Sequence, residues 1–532
     1  MPEDEHDDDS APARGPQVDP DQEELTVVPS SVAPERREGA GLTSDGTFRK
    51  GRLAGLSMNK AIWVLAWPVV IESFLNSLVG LVDTALSASL PNGEAATDAI
   101  GGGSYTMWLI GLVIMALGVG ATALVSRSVG KGRMGVANAI IAQTFTISIL
   151  LGIIVGVAVA LGTPLLAVAL NMSETASDMF LQYMLIIAAG VPAMSVLFSM
   201  IACSRGAGDS ISPLYAMIVR NVVNIGVSWL LSGVEIAGVV SPLGLDLGIS
   251  GIALGTVAGD LVGAAIILSM ARSGKWSIRL KTKRMRPHWF TARRLVRLGV
   301  PNFIESFGLW FGNFFIIFFV GLLTRQIGRD GLLGAHVIAI RIEAFSFLPG
   351  FAMGMAAASL TGQYLGMKRP DLAKIVIFKC TLIAAALMGS LGVGFITIPR
   401  MITGLLSQQP AHLELVPPLL MICGVVQIPF AISIVFRSAM RGAGDVKVVM
   451  ALTWMTTYAI RLPLAYFIAG VDIPIPEFMG GGVLENPRVM EQLLGIEPGL
   501  TALWIALCSE MAIRGCLFTA RFVHGGWQRI EV

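Results

Sequence analysis

Carboxylates and amides stand inside stretches that are otherwise too apolar to carry them. In the first long apolar run of this 532-residue chain, Glu72, Asn76 and Asp83 recur at helical spacing. At 100° per residue Glu72 and Asp83 differ by about 20° after three turns, and Asn76 lies within about 40° of both, with the carboxylates roughly 16 Å apart. The three form one polar stripe. A carboxylate removed from water takes up a proton or needs a counter-charge. Ionised, it can instead ligate Na+ together with amide and carbonyl oxygens. Either way an ion is tied to a helix. A later run offers Asn221 and Asn224, with Ser228 continuing their face. Interhelical hydrogen bonding is the plainer use of such amides.

The second half of the chain has its own set. Glu305 repeats the setting of Glu72, because both sit in P-x-x-I-E-S-F. A repeated pair of this kind serves packing or gating as readily as ion binding. His336 and Glu343 are seven residues apart and share a helical face, with Arg341 between them. Arg341 is expected to pair with Glu343 or Glu305, and His336 is the one imidazole expected inside a span. Asp260 and Glu510 also correspond, at a spacing of 250, and are expected near a membrane surface or in a helix contact. Ionisable groups in hydrocarbon are costly and therefore functional candidates by default.

The elements that hold these residues must be membrane helices. The chain is 54% hydrophobic and 14% charged, with a mean hydropathy of +0.71. A soluble surface needs about 25% charge. The 60 glycines suit close helix contact in lipid. Spanning hydrocarbon takes about 20 residues. The apolar runs predict spans at 62–90, 102–126, 137–162, 180–203, 213–232 and 248–271, then 298–324, 334–361, 373–398, 414–436, 448–469 and 499–521. Pro68, Pro192, Pro301, Pro349, Pro429 and Pro463 predict kinks within them. The expected fold is an all-α membrane protein of twelve transmembrane helices in two pseudo-symmetric six-helix bundles.

The expected organisation is an acidic disordered tail (1–52), a first bundle (53–272), a basic linker (273–297), a second bundle (298–523) and a short tail (524–532). Residues 1–50 hold 13 acidic against 5 basic side chains and cannot bury enough apolar area to fold. They contain no apolar segment of signal-peptide type, so insertion is expected to rely on the first span. Lys and Arg concentrate after the even-numbered spans, most densely from Arg272 to Arg297, which predicts cytoplasmic termini. That loop is expected to be a solvated linker touching anionic lipid, with no nucleic-acid partner. The five cysteines have no ligand spacing and are expected to be buried thiols. The segment 470–498 is expected to be a longer external loop with a short interfacial helix.

The chain is also similar to itself. Pro68–Phe74 and Pro301–Phe307 share P-x-x-I-E-S-F at an offset of 233; SRGAGD at Ser204–Asp209 and MRGAGD at Met440–Asp445 are offset by 236, as are Gly130 and Gly366. An even number of spans separates equivalent points, so the halves share one orientation. Parallel repeats of this kind frame a cleft in transporters. The RGAGD segments are expected to end helices, with their Arg and Asp pairing locally.

These motifs carry a resemblance. The stretch Gly80–Thr84 (GLVDT), the doubled RGAGD, VSRSVGKG with its counterpart TGQYLGMK, and RLPLAY from Arg461 to Tyr466 resemble the multidrug and toxic compound extrusion (MATE) family over residues ~55–525. The resemblance implies secondary antiport. A small organic solute leaves as H+ or Na+ enters, by rocking of two bundles, without a cofactor. It implies a multi-pass protein of the cell inner membrane, expected as a monomer in the lipid bilayer. It makes Asp83 the ion-coupling aspartate of the first bundle and Asn224 its partner, a pair also open to Na+. Ser228 stands where some relatives have a second aspartate, and Leu309 stands where many have the carboxylate of the seventh helix. The alternative in the same superfamily is a lipid-linked saccharide flippase, which would need cavity cations such as Arg341 and Arg461. No HExxH, G-x-S-x-G or GxxxxGK[ST] motif is present, so an enzyme is not expected.

Overall fold

The computed structural model describes residues 52–531 except 171, 236–244, 277, 282–284, 286–287, 330, 476–480 and 496. The expected disordered tail lies outside the described residues but for Arg52. All the described residues belong to one compact unit.

Six long helices form the first half: α1 (Met58–Ala88), α2 (Gly93–Gly130), α3 (Met134–Ala169), α4 (Glu174–Gly206), α5 (Ile211–Ser232) and α6 (Gly248–Ser273). The second half contains α7 (Trp289–Ile327), α8 (Leu332–Gly366), α9 (Pro370–Thr397), a short α10 (Pro399–Leu406), α11 (Pro410–Val425), α12 (Gln427–Ala443) and α13 (Val446–Trp454). A π-helical segment (Met455–Arg461) joins α13 to α14 (Leu462–Ala469); a short α15 (Val489–Leu494) and α16 (Leu500–His524) follow. Among the described residues eleven helices are long and apolar enough to cross a membrane, or twelve spans if α11 and α12, which meet at a bend of 59°, count as one. Helices close every backbone hydrogen bond within the segment, which lipid demands.

The prolines act unequally. Pro68, Pro192, Pro301 and Pro349 lie inside unbroken helices. Pro429 has no N–H for the carbonyl of Val425, the last residue of α11, and there the chain bends. Pro463, which has no N–H to donate, stands at the start of α14 directly after the π segment. The 470–498 loop carries two paired strands, β1 (Ile473–Pro474) and β2 (Val483–Leu484), and the expected short helix, α15.

Two expectations are corrected, that the basic linker is solvated and that all five cysteines are buried. The basic linker is not simply solvated, since Trp276, Ile278 and Leu280 bury against α2, α3, α4 and α6. Its last third is already helical, because α7 begins at Trp289. The segment after α16 is ordered, with a turn of 3-10 helix at Gly526–Arg529 and a buried Trp527. Of the cysteines, Cys516 is exposed.

Four large buried clusters fix how the halves meet. At the basic ends, one cluster joins Leu53, Ile62 and Leu65 to Met353, Leu360 and Tyr364 of α8 and to α9 and α12. Another joins Leu124 of α2 and Met200 of α4 to Leu295 and Leu298 of α7 and to Val446. Each contains residues of both halves. At the opposite ends the clusters stay within one half: Leu86, Phe180 and Ile252 in the first, Ile316, Leu420 and Trp504 in the second. The halves are therefore fused at the basic ends and separate toward the other, with a cleft between them.

Candidate functional site

The floor of the cleft is a cavity of about 260 Å³ lined by residues of both halves, among them Glu72, Asn76, Arg205, Phe351 and Arg441. Its polarity follows the repeat. Arg205, at the end of α4, donates to Glu72 of α1 at 2.5 Å. Arg441, at the end of α12, pairs with Glu305 of α7 at 2.8 Å. The expected local Arg–Asp pairing within each RGAGD is thus corrected. Each arginine reaches back along the bundle to the glutamate of P-x-x-I-E-S-F. Asp209 instead accepts from the backbone N–H of Ile211 and Ser212 at the start of α5. Asp445 pairs with Arg521 of α16 at 2.7 Å.

Glu305 is fully buried and has further partners. Thr453 donates to it at 3.0 Å, and Arg437 stands 3.9 Å away. Burying a charge is tolerable only when it is paired and hydrogen-bonded, as here.

Asp83 sits higher on α1 and faces a different set. Its Oδ1 is buried and has no hydrogen-bond partner among the described residues, and it lies within electrostatic reach of Arg220. Arg220, on α5, pairs with Asp260 of α6 at 2.6 Å and donates to Asn221 at 3.1 Å. Asn224 is fully buried, donates to Thr256 at 3.0 Å and keeps an unpartnered Oδ1. The predicted stripe on α1 is therefore divided. Glu72 and Asn76 serve the cleft floor, while Asp83 turns to the polar groups of α5 and α6. Arg220 escaped the sequence reading, although the rule that singled out carboxylates in apolar runs applies to it equally. The approximate spacing of Asp260 and Glu510 was informative, since each has an arginine partner; Glu510 pairs with Arg514 at 2.8 Å.

The α8 trio does not assemble. Arg341 is exposed, and among the described residues no carboxylate reaches it. Its expected partner Glu305 is taken by Arg441. His336 is buried, and its Nδ1 accepts from Trp504 at 3.1 Å, which makes it a packing residue between α8 and α16. It is also not the sole histidine within a helix, since His412 is buried in α11. Glu343 forms no ion pair among the described residues and lies within electrostatic reach of Arg461, which ends the π segment.

A family model, MatE, matches residues 68–230 and 301–467, one block in each half. The chain belongs to the MATE family. Its members are transporters rather than enzymes. Among relatives, the chain is similar to the probable multidrug resistance protein NorM of Thermotoga maritima, 24% identical over 89% of this chain and 94% of that protein. It is similar as well to the multidrug resistance protein MdtK of Pectobacterium atrosepticum, 21% identical over 80% of this chain and 91% of that protein. Two solved structures share the fold. An outward-facing multidrug resistance MATE family transporter of the MOP superfamily aligns with a TM-score of 0.75 at 16% identity, over 89% of this chain and 97% of that one. The Vibrio cholerae MATE transporter VcmN in the bent form aligns with a TM-score of 0.74 at 18% identity, over 88% and 97%. The protein is a multi-pass membrane protein of this family.

Proposed function

We propose that this MATE protein is a secondary antiporter that exports drugs or toxic organic compounds, cationic ones foremost, in exchange for H+ or Na+. The observation that carries the reading is a pair of side-chain oxygens without a partner among the described residues, Asp83 Oδ1 on α1 and Asn224 Oδ1 on α5, in helices that pack together, with Arg220 in electrostatic reach of Asp83 and Thr256 bonded to Asn224. One carboxylate with amide and hydroxyl oxygens suits a proton or a monovalent cation; among the described residues no three His, Cys, Asp or Glu side chains converge for a metal. Binding there alters the charge facing Arg220 and gives α1 a reason to move against α5. The names of the relatives, multidrug resistance proteins, agree with the substrate class.

Transport is read as alternating access between two bundles. By the positive-inside rule the basic ends and both termini are cytoplasmic, and the cleft is then open outward across the inner membrane. The flippase alternative needs cavity cations free to hold phosphate; the two cleft-floor arginines are committed to Glu72 and Glu305, and neither Arg341 nor Arg461 lines that cavity. The test is efflux of a fluorescent organic cation from proteoliposomes under an imposed pH or Na+ gradient, for wild type and Asp83→Asn. Gradient-driven efflux lost in the variant supports coupling at Asp83, and the active gradient names the ion. A folded protein silent under both gradients sinks the drug-antiport reading and favours the flippase.

A further inference from the structure

The repeated motifs VSRSVGKG (Val125–Gly132) and TGQYLGMK (Thr361–Lys368) contribute no residue to the cleft-floor cavity. In the structure they form the last turns of α2 and α8 and the bends that follow, and the two helices cross there. A Cβ on Gly130 would lie 2.1 Å from the Gln363 carbonyl oxygen, and one on Gly366 would lie 2.4 Å from that of Arg127. The halves thus touch backbone to backbone, at glycines that the repeat had already matched.

From this crossing each half sends one side chain into the other. Arg127 and Gln363 are equivalent positions of the two motifs. Gln363 Nε2 donates to the Gly206 carbonyl at 3.3 Å, and Arg127 donates to the Ala443 carbonyl at 2.9 Å. Both acceptors end a helix, α4 or α12, where carbonyls lack intrahelical donors and the helix dipole is negative. The arrangement is symmetric and the chemistry is not, because one donor is charged and the other neutral.

Arg127 also has a second acceptor. It donates to the Ile530 carbonyl at 2.9 Å, in the strap that follows α16. The strap is anchored in the second half. Trp527 is fully buried, stacks on Phe522 at 5.8 Å and donates to the Phe522 carbonyl; Phe522 in turn stacks on Phe436 of α12 at 4.6 Å. Glu531, next in the chain, is within electrostatic reach of Arg127. The strap therefore carries acceptors from the second half across the seam to a cation of the first.

We propose that Arg127 is the gate residue between the halves at the basic end, and that the strap Gly526–Glu531 sets how firmly that gate is held. The proposal rests on the alternating-access reading. Opening the basic end must pull Arg127 off both carbonyls, and releasing the strap removes one of them in advance. Gln363 makes a neutral bond that is given up more easily.

The test is the distance between spin labels at Arg272→Cys and Lys374→Cys, exposed positions at the basic ends of α6 and α9, in a Cys516→Ser background of the full chain in lipid nanodiscs. Arg127→Gln and Trp527→Ala are each expected to raise the long-distance population roughly 10-fold, since bonds to charged donors are the stronger ones. The double variant is expected to match Arg127→Gln alone, because the strap acts through Arg127. Should Arg127→Gln fail to fold, Arg127→Lys combined with deletion of residues 526–532 replaces it. Additive effects would mean that the strap acts by packing and would overturn the proposal. Distances unchanged in both variants, while substrate or a change of pH or Na+ concentration still widens the wild type, would overturn it and leave alternating access standing. Distances fixed under every condition would sink both.

Discussion

The two cleft-floor ion pairs look alike and should not be worth the same. Glu72 has Arg205 at 2.5 Å as its ion-pair partner among the described residues. Glu305 has Arg441 at 2.8 Å, Arg437 at 3.9 Å and the Thr453 hydroxyl at 3.0 Å. At an effective dielectric of 20, unit charges 2.8 Å apart attract by about 6 kcal/mol and charges 3.9 Å apart by about 4 kcal/mol, before any desolvation cost. Arg441→Met therefore leaves Glu305 with a large part of its attraction and removes the repulsion between Arg437 and Arg441. Arg205→Met leaves Glu72 buried and alone. Orphaning a buried charge costs about 3–5 kcal/mol. That range is expected for Arg205→Met and about half of it for Arg441→Met, with the partly exposed arginines setting both toward the low end. The assay is reversible unfolding in mixed micelles with increasing SDS, followed by tryptophan fluorescence. Because Glu72→Gln also neutralises the orphan, Glu72→Gln combined with Arg205→Met should recover most of the loss. A cost for Arg441→Met equal to or above that for Arg205→Met would refute the reasoning.

Other outcomes follow from single positions. Gly366→Ala places a methyl 2.4 Å from a backbone oxygen of α2, and overpacking costs about 1–3 kcal/mol; transport should fall while the melting temperature in detergent drops only modestly, because the halves can part. Arg220→Gln strips Asp260 of its partner at 2.6 Å; gradient-driven efflux should be lost, and in Asp260→Asn with Arg220→Gln stability should return without coupling. An apolar, lipid-soluble maleimide should label one thiol in the folded protein in lipid, Cys516, because the other four are buried and Cys516 is exposed within the α16 span; mass spectrometry of the labelled chain checks it.

The helices and the doubling were legible because both are written in periodic signals. Apolar runs of membrane length gave all twelve spans, short at their ends because polar caps and amphipathic turns dilute hydropathy there. Alignment of the halves paired Glu72 with Glu305 and Arg205 with Arg441, but it could not pair glutamate with arginine. That contact joins residues 133 apart in one half and 136 apart in the other, and spacing along a helix says nothing about which neighbour a side chain meets. Arg341 shows the converse failure: it shares a helix with Glu343, and the backbone turns it outward. Asp83 and Asn224 stood out as polar groups in apolar runs and the family resemblance gave them a role, but their surroundings depend on Arg220 and Thr256, which no motif marks. The bend before Pro429 was anticipated; the π segment before Pro463 was not, since a missing donor permits several irregularities.

The exchange of residues between the basic-end clusters bears on how the chain is made. The cluster that seals α2, α3, α4 and α6 includes Leu295, Leu298 and Val446, residues synthesised after the first six helices. The first half therefore enters the membrane with part of its core missing, and it waits for α7 to supply it. In return Leu53, just ahead of α1, and Ile62 and Leu65 in its first turns complete the core of α8, α9 and α12. Assembly order is thus written into the packing: neither bundle matures before the other arrives, and two halves made as separate polypeptides would each be a target for membrane quality control until they met.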